Sequence, residues 1–186
     1  MKTIRFVLSK KSIDQAIQET RDFEAKLNKL CEVVAKKLAA EGTLAAREAL
    51  AGYGGIDTGE LYSSISCDCV RPGLWKVSCY APNDRGENYA WYVEYGTGAV
   101  GAQSPHPEAG TAGWEYDVNG HGDEGWFYPF GKSRKHKLRL NPATGKYQPW
   151  TDGEPAKPFM YDSRQHIQNR EVADRIMREA FEEVFG

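Results

Sequence analysis

The chain has 186 residues, with 24 Lys and Arg against 26 Asp and Glu, a formal charge of -2 and four cysteines. That near-balance argues against a generic polybasic nucleic-acid binder or an acidic-tail protein, and no apolar run approaches the roughly 20 residues of a membrane span. Four cysteines are too sparse for a secreted disulfide scaffold, and the expectation is a soluble, cytoplasmic, single globular domain.

The charge is unevenly laid out. Residues 1–53 carry a net +3, residues 54–130 a net -8 and residues 131–186 a net +3. An acidic middle between basic ends suits subunits docking on one another, and it equally suits one monomer whose ends pair with its own middle.

Residues 3–8 (Thr-Ile-Arg-Phe-Val-Leu) predict a short strand. Their apolar run stops at Ser9-Lys10-Lys11, too short for a signal-peptide core and without a small-residue cleavage site. Ser12, with Gln15 at the capping-box position, opens a long helical pattern. Apolar residues recur at Ile13, Ile17, Thr20, Phe23, Leu27, Leu30, Val34 and Leu38, always three or four apart, so one face is apolar. Gly42 allows a kink or break. Unbroken, the helix runs from about 12 to 51 and is about 60 Å long.

Residues 61–69 alternate, as do 74–80, with Arg71-Pro72-Gly73 between them. This predicts two strands and a turn, with Cys67, Cys69 and Cys79 as small buried apolar residues on the sheet. A Cys67–Cys79 disulfide is compatible with an oxidising compartment. Residues 89–96 (Tyr-Ala-Trp-Tyr-Val-Glu-Tyr-Gly) predict a third, aromatic strand. Residues 97–158 are dense in Gly, Pro, Trp and Tyr without helical periodicity, and predict a loop-rich insert. Within it, Lys135–Leu140 and Lys146–Trp150 flank Asn141-Pro142-Ala143-Thr144-Gly145 as a hairpin. A helix over about 160–185, with Ile167, Val172, Ile176, Ala180, Phe181 and Val184 as its stripe, closes the chain.

Several chemical motifs fail on their physics. Gly96-Thr97-Gly98-Ala99-Val100-Gly101 matches GxGxxG after the expected strand, but a dinucleotide site needs a helix N-terminus that the following Ala102-Gln103-Ser104-Pro105-His106-Pro107 cannot open. Phe130-Gly131-Lys132-Ser133 lacks a correctly spaced first glycine for a phosphate loop. Cys67, Cys69 and Cys79 lack the CxxC knuckle of structural zinc. His106, His121, His136 and His166 show no metal-ligand spacing; His121 with Asp123 and Glu124 is the one loop cluster compatible with a metal-dependent hydrolase. These residues nominate no catalytic group, cofactor or resident metal. Lys132, Arg134, Lys135, Lys137 and Arg139, close to Phe127, Tyr128 and Phe130, form a basic run. It suits an exposed arm seeking the acidic middle segment of a neighbour ahead of DNA phosphates.

Three segments carry a family resemblance. They are Asp57-Thr58-Gly59-Glu60-Leu61-Tyr62-Ser63-Ser64-Ile65 after the long helix, Tyr89-Ala90-Trp91-Tyr92-Val93-Glu94-Tyr95-Gly96-Thr97, and Ala156-Lys157-Pro158-Phe159-Met160 entering the last helix. In this order they resemble the neck, or head–tail-joining, morphogenesis proteins of long-tailed double-stranded DNA phages and prophages. Two departures stand out: Gly54-Gly55-Ile56 replaces a proline usual before the D-T-G turn, and 98–155 replaces a short connection.

The resemblance implies a non-enzymatic virion protein, made in the bacterial cytoplasm and located at the head–tail junction. It would form a homo-oligomeric ring that joins or seals connector and tail, with the connector or head-closure proteins, the tail proteins and packaged DNA as partners, and no membrane. The positions that carry it are Asp57, Thr58, Gly59, Leu61, Ile65, Tyr89, Tyr92, Glu94, Gly96, Thr97, Pro158 and Phe159. In that setting Asp57-Thr58-Gly59 makes a tight turn with Gly59 at positive φ, and Ile65, Tyr92 and Val93 occupy sheet positions. Glu94 offers its carboxylate to an interface or to an internal Arg or Lys, while Phe159 holds the last helix on the sheet. The expected fold is α+β: a small antiparallel sheet packed by a long N-terminal and a C-terminal helix. Residues 1–97 and 156–186 form the core and 98–155 an insert within one domain.

Overall fold

The computed structural model describes residues 9–55, 59–82, 86, 88–117, 125–127 and 137–186, Lys137 by its backbone alone. The expected strand at 3–8 lies outside these residues.

The fold is α+β, with seven helices and six short strands among the described residues. Helix α1 spans Lys10–Gly52. Its cap is Ser9, whose Oγ accepts the Ser12 N–H at 3.3 Å, three residues before the expected cap. Gly42 does not break it; the residue is buried, and its carbonyl accepts the Ser163 hydroxyl at 2.7 Å. The helix ends where Tyr53 and Gly55 N–H groups return to the Ala49 and Leu50 carbonyls and Gly54 takes φ 65°.

Gly59, at φ 82°, starts helix α2 (Glu60–Ser64). Strand β1 (Ile65–Arg71) then pairs with β2 (Leu74–Cys79) as an antiparallel hairpin. The expected strand over 61–69 is thus corrected: its first four residues are helical. Leu61 and Ile65, both buried, are four apart, a spacing that fits a helical face as well as an alternating strand. The buried-cysteine expectation is corrected too. Cys69 is exposed, Cys67 and Cys79 are half-buried, and all are free thiols. Beyond Ile65, β1 has no buried residue, so its alternation does not mark a core face.

Residues 90–95 form helix α3 (Ala90–Tyr95), not the expected aromatic strand. Ala90 and Glu94 are its buried residues, four apart on one helical face. Helical packing here overrides the β-preference of Trp91, Tyr92, Val93 and Tyr95. Helices α4 (Gly98–Gln103) and α5 (Ala109–Ala112) follow, so the 97–158 segment is not helix-free.

The expected hairpin is present as β4 (Lys137–Asn141) and β5 (Lys146–Thr151), with Leu140 opposite Tyr147 and Arg139 opposite Gln148. Strand β3 (Trp126–Phe127) pairs on the other side of β5. The short β6 (Gly153–Glu154) bridges back to Thr97 and Gly98. The closing helix is two helices, α6 (Phe159–Gln168) and α7 (Arg170–Phe185). Asn169 separates them and caps α7 by accepting the Glu171 N–H at 2.8 Å. The five-residue step from Ile167 to Val172 marks this break in the stripe.

The chain divides into two compact units. One holds the residues up to Glu41, Asp68–Lys76 and Ile167–Gly186; the other holds Gly42–Cys67 and Val77–His166. The second contains the main core, in which Ala46, Leu50, Leu61, Ile65, Ala81, Ala90 and Phe159 are all buried. The 98–155 insert belongs to this unit.

Candidate functional site

In the second unit Glu94, from the second resemblance segment, meets the third. Asn88 fixes the entry to α3. Its Oδ1 accepts the Ala81 and Ala90 N–H groups at 2.9 and 3.3 Å, and its Nδ2 donates to the Cys79 carbonyl at 3.1 Å. The Tyr89 N–H adds a bond to the Ala81 carbonyl at 2.9 Å. One turn later Glu94 points inward and is 6% exposed.

A buried carboxylate must be satisfied on several sides. Glu94 Oε2 accepts the Met160 N–H and Oε1 the Tyr161 N–H, each at 2.9 Å. These are amides of the first turn of α6, which have no partner within their own helix. Glu94 therefore caps α6 from a distant segment, with its negative charge at the positive end of the helix dipole. The Lys157 N–H bonds the Val93 carbonyl at 2.9 Å, and the Asp162 N–H bonds the Pro158 carbonyl at 2.8 Å. Phe159, fully buried between these contacts, fixes α6 on Leu50, Leu61 and Ile65.

His106 completes the Glu94 environment at 3% exposure. Its Nδ1 accepts the Glu108 N–H at 2.9 Å, so the ring proton sits on Nε2, 3.2 Å from Glu94 Oε1. Tyr95 lies 4.2 Å and Tyr161 5.4 Å from the imidazole, centre to centre. Trp114 stacks on Tyr95 at 5.0 Å, meets Tyr92 edge-on at 5.8 Å and donates Nε1–H to the Gly96 carbonyl at 3.0 Å. Burial pushes the Glu94 carboxyl up from its ordinary value, against the lowering effect of the two amides and His106. Both carboxylate oxygens and both imidazole nitrogens are engaged, and the arrangement acts as a staple holding α3, the 104–108 turn and α6 together. Of the two expectations for Glu94, an interface contact or an internal Arg or Lys, the structure shows neither: the carboxylate is buried on His106 and two backbone amides.

The GxGxxG glycines have a packing reason. A side chain at Gly96, which takes φ 79°, would stand 2.6 Å from the Ala156 nitrogen and 2.8 Å from the Glu154 carbonyl. One at Gly98 would meet the Asp152 carbonyl at 2.5 Å, and one at Gly101 the Tyr116 ring at 2.9 Å. Beside them, Thr97 Oγ1 accepts the Glu154 N–H at 3.2 Å. The motif is a place where the 97–101 and 152–156 backbones touch; it follows helix α3 rather than a strand, and the short helix α4 opens within it at Gly98, where no helix was expected.

Of the remaining sequence candidates, Asp57, Thr58, Lys132, Arg134, Lys135, His121, Asp123 and Glu124 lie outside the described residues, as does the Lys137 side chain. The Arg139 guanidinium lies 3.3 Å from the centre of the Trp150 ring. Sequence reading missed His106, Trp114 and Asn88 as partners of the motif. The usable signal was a lone histidine between Pro105 and Pro107 beside a carboxylate-bearing apolar segment.

Among the described residues, no three His, Cys, Asp or Glu side chains group to hold a metal ion, and no helix is long and apolar enough to cross a membrane. Compared with known proteins, the chain matches no family model, no curated protein and no solved structure.

Proposed function

We propose that this chain is a structural virion assembly protein of the phage neck, acting at the head–tail junction as a homo-oligomeric ring that joins or seals connector and tail. One observation carries the reading: the three segments that resemble neck proteins converge on one hub. Leu61 and Ile65 of the first segment and Ala90 of the second share a core with Phe159 of the third. Glu94 of the second segment caps the helix that the third begins. Residues shared for a framework are expected to meet in this way, with their polar atoms spent on one another. Such a framework presents its other surfaces to neighbours. The layout of +3, -8 and +3 along the chain supplies complementary charge for repeated subunit contacts.

Deletion of the gene in the strain that encodes it, followed by induction and electron microscopy, tests the proposal. The expected result is separate DNA-filled heads and finished tails, which join when the purified protein is added to the lysate. Joined, infectious particles from the deletion strain would overturn it.

A further inference from the structure

We propose that the β4–β5 hairpin is a ribbon that binds double-stranded DNA through the face carrying Arg139, Lys146 and Gln148. The proposal does not rest on the neck reading.

The sequence sets the charge. Between Gly125 and Thr151 the chain has six Lys and Arg and no Asp or Glu. The register sets the faces. Residues directly opposite in an antiparallel pair share a face, as do residues two apart in one strand. Arg139 stands opposite Gln148 and Asn141 opposite Lys146, so these four polar side chains share one face. Leu140 opposite Tyr147 and Leu138 opposite Pro149 belong to the other. The Arg139 guanidinium over the Trp150 ring, two residues from Gln148, agrees with that sorting.

The polar face is ordered by its own contacts. Trp150, only 9% exposed, holds the Arg139 guanidinium against its ring. Asn141 Oδ1 accepts the Ala143 N–H at 2.9 Å, and its Nδ2 donates to Gln148 Oε1, which leaves the Gln148 NH2 as a donor. Arg139 and Lys146 are exposed. Among the described residues neither has an ion pair, whereas Lys37, Lys157, Arg164 and Arg175 each have one. Uncompensated cations beside an amide donor suit phosphate oxygens.

Geometry selects the ligand. A protein partner is met through a core depleted of charge and rich in aromatic residues, and the exposed apolar row of this ribbon, Leu138, Leu140 and Tyr147, lies on its other face. A single strand needs bare rings on which its bases stack, whereas Trp150 is covered by Arg139. A two-stranded ribbon fits the major groove of B-form DNA, about 12 Å wide, but not the deep, narrow groove of A-form RNA.

Fluorescence anisotropy of the full chain with a short labelled DNA duplex, read from about 20 to 200 mM salt, tests the proposal. Micromolar affinity is expected at the lowest salt, with a slope of log affinity against log salt of about -2 or steeper. Arg139→Ala and Lys146→Ala should each make that slope shallower by about 1. Leu140→Ser, on the opposite face, should leave affinity and slope unchanged. The RNA duplex and the single strand of the same sequence should bind more weakly than the DNA duplex. No binding of the duplex at about 100 µM protein and low salt would overturn the proposal. So would binding that both alanine variants leave unchanged, or RNA bound as tightly as DNA. A wild type that leaves the duplex unbound, and whose self-association in sedimentation is lost in Arg139→Ala, would give the face to an acidic neighbour instead.

Discussion

Glu94 and Met160 stand 66 residues apart in the chain, and a carboxylate oxygen of the first accepts the backbone N–H of the second at 2.9 Å. With the Tyr161 N–H and His106 on the other oxygen, this one side chain ties together three segments that share no secondary structure. Removing it leaves two helix-end amides and an imidazole N–H buried without acceptors. Glu94→Ala is expected to cost about 3–5 kcal/mol. Glu94→Gln keeps one acceptor oxygen but turns an NH2 toward a donor, and should cost about 1–3 kcal/mol. Urea unfolding of the two variants checks both; equal stability to wild type would show that Glu94 is not a staple.

The glycines of the 96–101 motif differ sharply from turn glycines in what a methyl group would do. At Gly96 positive φ and backbone atoms closer than 3 Å act together. Gly73, in the β1–β2 turn, has φ 75° but open space around it. Gly73→Ala should therefore cost only the left-handed backbone penalty, about 1–2 kcal/mol. Gly96→Ala should exceed it, at about 3 kcal/mol or more, because the 154–156 backbone must also move. Thermal midpoints of the two variants give the order directly.

How much of this was legible in the sequence depends on where each element gets its stability. Helix α1 repeats its apolar stripe for many turns, and local periodicity suffices to find it. The β4–β5 hairpin is marked by Asn141, Pro142 and Gly145 at its turn. Helix α3 was misread because its four β-favouring residues are local, whereas the contacts that make it helical come from Ala81, Lys157 and Met160. Glu94 was found as a motif residue, but its partners were not, since His106 and the α6 amides are adjacent to it only after folding. The division at Asn169 was written in the five-residue step of the stripe and in the Asn-x-Glu cap.

The cysteines differ in reach and in environment. Cys31 and Cys69 are exposed, while Cys79 is half-buried with its sulfur 3.2 Å from the Ser64 hydroxyl. Burial pushes the Cys79 thiol up from its ordinary value, which lowers its thiolate fraction near neutral pH. Titration with an aromatic disulfide reagent at pH 8 is expected to show Cys31 and Cys69 reacting first and Cys79 last, with single Cys→Ser variants assigning the phases. Fast modification of Cys79 in the folded protein would contradict the placement of β2 against α2.

Tyr53 offers a pH test of the end of α1. Its hydroxyl donates to Asp162 Oδ2 at 2.6 Å, across 109 residues of sequence. That hydrogen bond, then burial, then the negative charge of Asp162 push the phenol from 10.0 up to about 12. The folded state thus holds this proton more tightly than the unfolded chain does. The stabilising contribution is complete below pH 10 and is lost as pH rises through about 12. Phenolate absorbance, read as wild type minus Tyr53→Phe, should show one tyrosine titrating near 12. Asp162→Asn removes the charge and should return that titration toward 10, while a wild-type Tyr53 already ionising near 10 would break the link between α1 and α6.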